Sequence, residues 1–242
     1  MNKAFHAQDP LIVDRLAVRL NGFHLENISF RIEPGQVTAL LGHNGAGKTT
    51  TLRLLMGMVR KDSGQVSLAS LDHVRDEKEF KRRVGFVPEE CFFYGAMTIA
   101  EFLTFASRFH RDWDSDQMEY LLRTFNLDKD KKLGQLSKGM RMKVSLTAAL
   151  SHQTDVLLLD EPTSGLDPRS QAETLRLLKM VAHENRTAVL ISTHNLHEVE
   201  EIADRMILLD QGRVLADESL AALRCSTGES WNLEQYYLER VQ

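Results

Sequence analysis

No apolar run in the 242 residues approaches the ~18 needed to cross a bilayer, which excludes a membrane-spanning helix. The opening MNKAFHAQDPLIVD sets Asp9, Pro10 and Asp14 where a signal peptide needs an unbroken apolar stretch. The expectation is a chain with neither signal peptide nor transmembrane segment, cytosolic unless a partner holds it at a membrane. Cysteine is scarce: Cys91 and Cys225 are too few for a disulfide framework and lack metal-ligand spacing, so they read as small hydrophobes. A basic excess is missing too. Thirty Lys and Arg against 34 Asp and Glu give a net charge of −4, the wrong sign for a protein that tracks nucleic-acid phosphates. Internal repeats and low-complexity stretches are also lacking.

What is present is the composition of a globular protein, 43% hydrophobic and 26% charged, with length for one large α/β domain or two small ones. Periodicity divides the chain. Up to about Pro88, strand-like runs surround one strong helix: VTALL (37–41), QVSLAS (65–70) and RVGFVP (83–88) read as strands, and KTTTLRLLMGM (48–58) as the helix. From about 98 to 152 the apolar spacing turns helical, in TIAEFLTFASRF, DQMEYLLRTFNL and KGMRMKVSLTAALSH. Beyond 155 alternation resumes: VLLLD a strand, QAETLRLLKMVAHE a helix, AVLIS a strand, and RMILLDQGRVLA two strands about an Asp-Gln-Gly turn. Alternating strands and helices predict a mostly parallel sheet covered on both faces, with the helical middle inserted beside it.

Gly42-His43-Asn44-Gly45-Ala46-Gly47-Lys48-Thr49 fits G-x-x-x-x-G-K-[ST], follows a strand and opens a helix. Its glycines allow backbone N–H groups to close around phosphate oxygens, and Lys48 adds a point charge at the helix's positive end. Thr49 offers a hydroxyl to Mg²⁺, and Thr50 follows it in the first helical turn. His43 reads as a tolerated loop residue. The loop alone indicates a nucleoside triphosphate without separating ATPase, GTPase and kinase. A second acidic strand end, Asp155 to Pro162, closes on Asp160 and Glu161. Strand alternation sends their side chains to opposite sides. Asp160 is assigned to Mg²⁺ and Glu161 to the attacking water as general base, with Lys48 completing the charge neutralisation that phosphoryl transfer requires.

Leu136-Ser137-Lys138-Gly139-Met140, then Ser164-Gly165-Leu166-Asp167 and Thr193-His194, complete a series in fixed order. Over roughly residues 10–220 the sequence resembles the nucleotide-binding domains of ATP-binding-cassette (ABC) transporters. The resemblance implies a P-loop NTPase core with a mostly parallel sheet, an N-terminal antiparallel β portion and an inserted helical subdomain. It places the core at 1–88 and 153–222, the helical subdomain at 89–152 and a C-terminal helical tail at 223–242. It further implies ATP and Mg²⁺ as cofactors, a cassette dimer, homo- or heteromeric, and a membrane-spanning permease on another chain. The location implied is the cytoplasmic face of the cell membrane. Gly42, Asn44, Gly45, Ala46, Gly47, Lys48, Thr49 and Thr50 would bind one nucleotide, Ser137 and Gly139 would close the opposing subunit's site, and His194 would contact the γ-phosphate and its water.

The sequence also departs from that family. Glu89 stands where glutamine is usual, and its carboxylate either meets the metal or is a solvated loop acid. Lys138 and Met140 replace signature residues, and Gly165 replaces a commoner alanine. An aromatic normally stacks on adenine, and here Leu20 occupies that place with Phe23 nearby; either Phe23 stacks or the base rests on aliphatic surface. Cys91-Phe92-Phe93-Tyr94 lies where the family receives the permease, and its aromatics either form that interface or pack a hinge. The tail Trp231–Glu239 reads as a short amphipathic helix and resembles cassettes of separate six-helix permeases, many of them exporters. Two other function classes are weighed against the transport ATPase. One acts on DNA or ribosomes, and the acidic balance and lack of a coiled-coil insertion oppose it. The other binds ATP without turnover, and Glu161 and His194 oppose it.

Overall fold

The computed structural model describes residues 9–20, 22–227 and 232–241. Its first element is a β-hairpin, β1 (Leu11–Leu20) and β2 (Phe23–Ile32), antiparallel with Leu20 opposite Phe23. After it come β3 (Val37–Leu41), α1 (Lys48–Leu55), β4 (Ser63–Leu68), β5 (Leu71–Asp72), α2 (Glu77–Arg83) and β6 (Val84–Val87). A helical stretch continues with α3 (Ile99–Ser107), α4 (Ser115–Thr124) and α5 (Lys138–Leu150). The chain then runs through β7 (Val156–Asp160), α6 (Pro168–Asn185), β8 (Ala188–Thr193), α7 (Leu196–Ile202), β9 (Arg205–Asp210), β10 (Arg213–Ser219), α8 (Leu220–Thr227) and α9 (Leu233–Leu238).

These elements form two sheets. The smaller is antiparallel, ordered β2-β1-β4-β5; the larger has six strands ordered β10-β9-β3-β8-β7-β6 and is parallel except at β10. The central strands are apolar at almost every position because both faces are covered. Alternation divides them between two cores. Val37, Ala39, Leu41, Leu157, Leu159, Val189 and Ile191 face α5, α6 and α7. Leu40, Val156, Leu158, Ala188 and Leu190 face α1 and the antiparallel sheet. The parallel strands β3, β7 and β8 end at one edge, the place where α/β sheets present ligand sites.

Several expected boundaries move. The helix expected over 48–58 stops at Leu55, with Gly57 left-handed at φ +65°. The run RVGFVP begins one residue early, because Arg83 closes α2, an amphipathic turn around buried Phe80 that the reading of one helix before Pro88 missed. The hairpin about Gln211-Gly212 is as expected, both residues having positive φ (+45° and +77°). Gly212 is also required by space: a Cβ there would lie 1.8 Å from the His24 carbonyl oxygen. The turn ties β2 to the loop after β3, through Glu26 N–H to Gly212 O at 2.9 Å and Gly212 N–H to Ala46 O at 3.0 Å. In the tail, α9 carries Leu233 and Tyr236 into the core, whereas Trp231 lies outside the described residues. Among the described residues no helix is long and apolar enough to cross a membrane.

Candidate functional site

The loop 42–47 leaves β3 and enters α1 through Gly45 and Gly47, at φ +87° and +112°. A Cβ on Gly47 would come within 2.7 Å of both Leu25 Cδ2 and Phe23 Cζ. Phe23, half-buried, thus braces the loop from below, and its hairpin partner Leu20 is more open. Gly47 is the N-cap of α1 and supplies no side-chain hydrogen bond, whereas α3, α4, α5, α6, α7 and α9 each have a capping side chain. The first-turn N–H groups of α1, those of Lys48, Thr49 and Thr50, therefore have no side-chain cap. Such an end suits an anion. Asn44, Gly45 and Ala46 form the crest, Ala46 buried and Gly45 with open space around it.

Lys48 is only 6% exposed, and its ammonium donates to Gly42 O at 2.7 Å and His43 O at 3.2 Å. It also pairs with Glu161 Oε1 at 3.2 Å, a carboxylate just 12% exposed. Next to it the Thr49 hydroxyl donates to Asp160 Oδ1 at 3.1 Å, and Ser192 Oγ donates to the same oxygen at 2.7 Å. A hydroxyl and a carboxylate side by side are hard oxygen donors of the kind Mg²⁺ takes together with substrate phosphates, so these residues fit that ion. On the other side of Glu161, Oε2 lies 2.9 Å from His194 Nδ1. Lys48, Thr49, Asp160, Glu161 and His194 are thereby one connected cluster at the ends of β3, β7 and β8.

The two carboxylates hold different partners, but not through strand alternation. β7 ends at Asp160, and Glu161 turns into the left-handed region at φ +46°, strained for a non-glycine residue. Ser192 fixes that turn by accepting from Glu161 N–H at both its hydroxyl (2.9 Å) and its carbonyl (3.2 Å). Sequence reasoning missed Ser192. Its position in an apolar strand just before Thr193-His194 was the available signal. It also read His43 as merely tolerated, but the ring lies 2.7 Å from Asp210 Oδ1 through Nε2 and 2.6 Å from Asn44 O through Nδ1, tying the loop to β9. Glu198, buried on α7, was missed as well.

The remaining candidates are not drawn into this cluster. Ser137 caps α5, its hydroxyl accepting from Met140 N–H at 3.2 Å. With Gly139 it lines a cleft shared with Lys138, Gly165, Leu166 and Asp167, and the phosphate loop takes no part in it. Glu89 Oε1 accepts from Ser164 Oγ at 3.4 Å, and Ser164 in turn lies 3.4 Å from Lys138 Nζ. Lys138 also rests 3.4 Å from where a Gly165 Cβ would stand, so three of the unusual residues meet in one place. Phe92 and Tyr94 are open to solvent, at 87% and 75% exposure, while Phe93 packs edge-on against Phe102. The two open rings do not pack a hinge, and the ring contact of Phe93 is with α3 of the helical region. Burial pushes the Cys91 thiol up, which keeps it protonated and unreactive.

Comparison with known proteins gives a consistent picture. Residues 25–164 match the family model described as ABC transporter. The chain is 32% identical to the bacitracin transport ATP-binding protein BcrA of Bacillus licheniformis, over 80% of its own length and 64% of the relative's. It is 35% identical to the SkfA peptide export ATP-binding protein SkfE of Bacillus subtilis (strain 168), over 81% of its length and 83% of the relative's. Among solved structures, the ATP binding subunit of an ABC transporter superposes with a TM-score of 0.83 at 29% identity, covering 95% of this chain and 98% of that one. The chain spans 64% of the length of BcrA and of two further Bacillus subtilis relatives.

Proposed function

The chain belongs to the ABC transporter family as an ATP-binding protein, and from that premise we propose that it hydrolyses ATP to power transport through a separate membrane permease. The observation that carries the proposal is the convergence of Lys48, Thr49, Asp160, Glu161 and His194 at one sheet edge, beside an uncapped helix start. Lys48 and the N–H groups of α1 bind and orient the triphosphate, and Thr49 and Asp160 would hold Mg²⁺. The metal, when bound, neutralises charge on the β- and γ-phosphate oxygens. Glu161 takes a proton from water as its oxygen bonds to the γ-phosphorus, and His194 fixes the carboxylate and the water in line. The bond to the bridging oxygen breaks and its electron pair leaves with ADP.

Glu161 is paired with Lys48, and the oxygens of a triphosphate compete for the same ammonium. Binding therefore frees the carboxylate to face water. Ser137 and Gly139, outside the cluster of their own chain, close the site of a second cassette, identical or different, and ATP draws the two together. Glu89, which accepts from Ser164 Oγ outside the cluster of Thr49 and Asp160, would have to move to meet the metal, and Phe23 or Leu20 supports the base. The chain works at the cytoplasmic face of the membrane, with Phe92 and Tyr94 in the region that receives the permease. Export is favoured because the SkfE relative is named for peptide export. Light scattering of Glu161→Gln tests dimer closure. A dimer with ATP and a monomer with ADP are expected, and a monomer in both would overturn it.

A further inference from the structure

Outside the reacting cluster, one buried charged group has its bonds arranged around the two loops that bear Glu161 and His194. Glu198 lies in the first turn of α7 and is 6% exposed. Its Oε1 accepts from Thr163 Oγ1 at 2.5 Å and Asn195 Nδ2 at 3.3 Å, and its Oε2 accepts from Thr193 Oγ1 at 2.7 Å. The Thr193 oxygen accepts in turn from Asn195 N–H at 3.0 Å. Both threonines are themselves buried. A carboxylate removed from water is costly unless donors surround it, and here the donors are hydroxyls and an amide aimed at it.

Where those donors sit gives the arrangement its meaning. Thr163 is two residues past Glu161, and Thr193 immediately precedes His194. One carboxylate therefore staples the loop after β7 to the end of β8, one oxygen on each side, just behind the 2.9 Å contact between Glu161 and His194. An apolar side chain would fill the same space without fixing either loop's register. We infer that Glu198 is a positioning residue of the hydrolytic site: it sets the distance and angle at which Glu161 and His194 meet, touching neither substrate nor metal. This inference rests on the ATPase reading of the site.

The phosphate grip of Lys48 and the glycine loop is built elsewhere, so loss of the staple acts on turnover rather than on ATP binding. Displacing reacting groups by about 1 Å reduces rate about 10²-fold. Steady-state ATP hydrolysis by the full chain is the test. Glu198→Ala is expected to lower kcat about 10- to 100-fold while KM for ATP stays within about threefold. Glu198→Gln retains an acceptor for Thr163 and Asn195 and offers Thr193 a donor, and it recovers most of the loss. Thr163→Val, of matching shape, is expected to reproduce the kcat-selective loss more weakly and decides the matter if Glu198→Ala does not fold. Unchanged kcat in these variants, or a loss residing in KM, overturns the inference alone. A wild-type chain that cleaves no ATP overturns the proposed function and the inference together.

Discussion

His152, just beyond α5, makes the stability of this chain depend on pH. Its ring is buried and stacks on His110 at 3.7 Å between centroids with 14° between planes. Burial, reinforced by the neighbouring His110, lowers its pKa from 6.5 to about 4. Below 6.5 the unfolded chain therefore binds a proton that the folded chain refuses, and stability falls as pH drops toward 4. For these two values the loss is about 2 kcal/mol at pH 5, approaching about 3 kcal/mol below pH 4. His110, lowered mainly by its own burial, acts in the same sense. Asp155, whose carboxyl burial pushes up, acts in the opposite sense, so the informative quantity is a difference between variants. His152→Phe keeps a stackable ring and removes the titration. Urea unfolding from pH 7.5 to 4.5 should show the wild type losing about 2 kcal/mol more than the variant by pH 5. Parallel profiles would refute the reasoning.

Gly47→Ala forces a Cβ to within 2.7 Å of Leu25 and Phe23 at φ +112°, and should destabilise the fold by about 1–3 kcal/mol in urea titration while weakening ATP binding. A variant matching the wild type in both would contradict the account of the loop. If Glu89 reaches the metal as its family position implies, Glu89→Gln removes a negative charge there and should relax the Mg²⁺ requirement for hydrolysis. Identical Mg²⁺ titrations would return Glu89 to the role of a solvated loop acid.

Strong local signals made much of this architecture readable in advance. The apolar runs VTALL and VLLLD are β3 and β7 to the residue, because strands buried on both faces carry no polar interruption that blurs their ends. The glycine loop was readable because its backbone needs residues without a Cβ. What escaped was set by distant parts of the chain. α2 and α7 are seven residues each, too short for periodicity to stand out. The bond from His43 to Asp210 spans 167 residues, and that from Thr163 to Glu198 spans 35. Each partner looks ordinary in its own segment. Likewise, the alternation expected to separate Asp160 from Glu161 does not reach Glu161, whose left-handed turn is held by Ser192 from another strand.

Phosphate release from ATP by the purified chain at saturating Mg²⁺, wild type beside Glu161→Gln, tests most directly whether these side chains form a hydrolytic site. The account predicts steady release by the wild type and a loss of about 10²- to 10⁴-fold in the variant, with ATP still bound through Lys48. Equal release by both proteins, or failure of either to bind ATP, would contradict it.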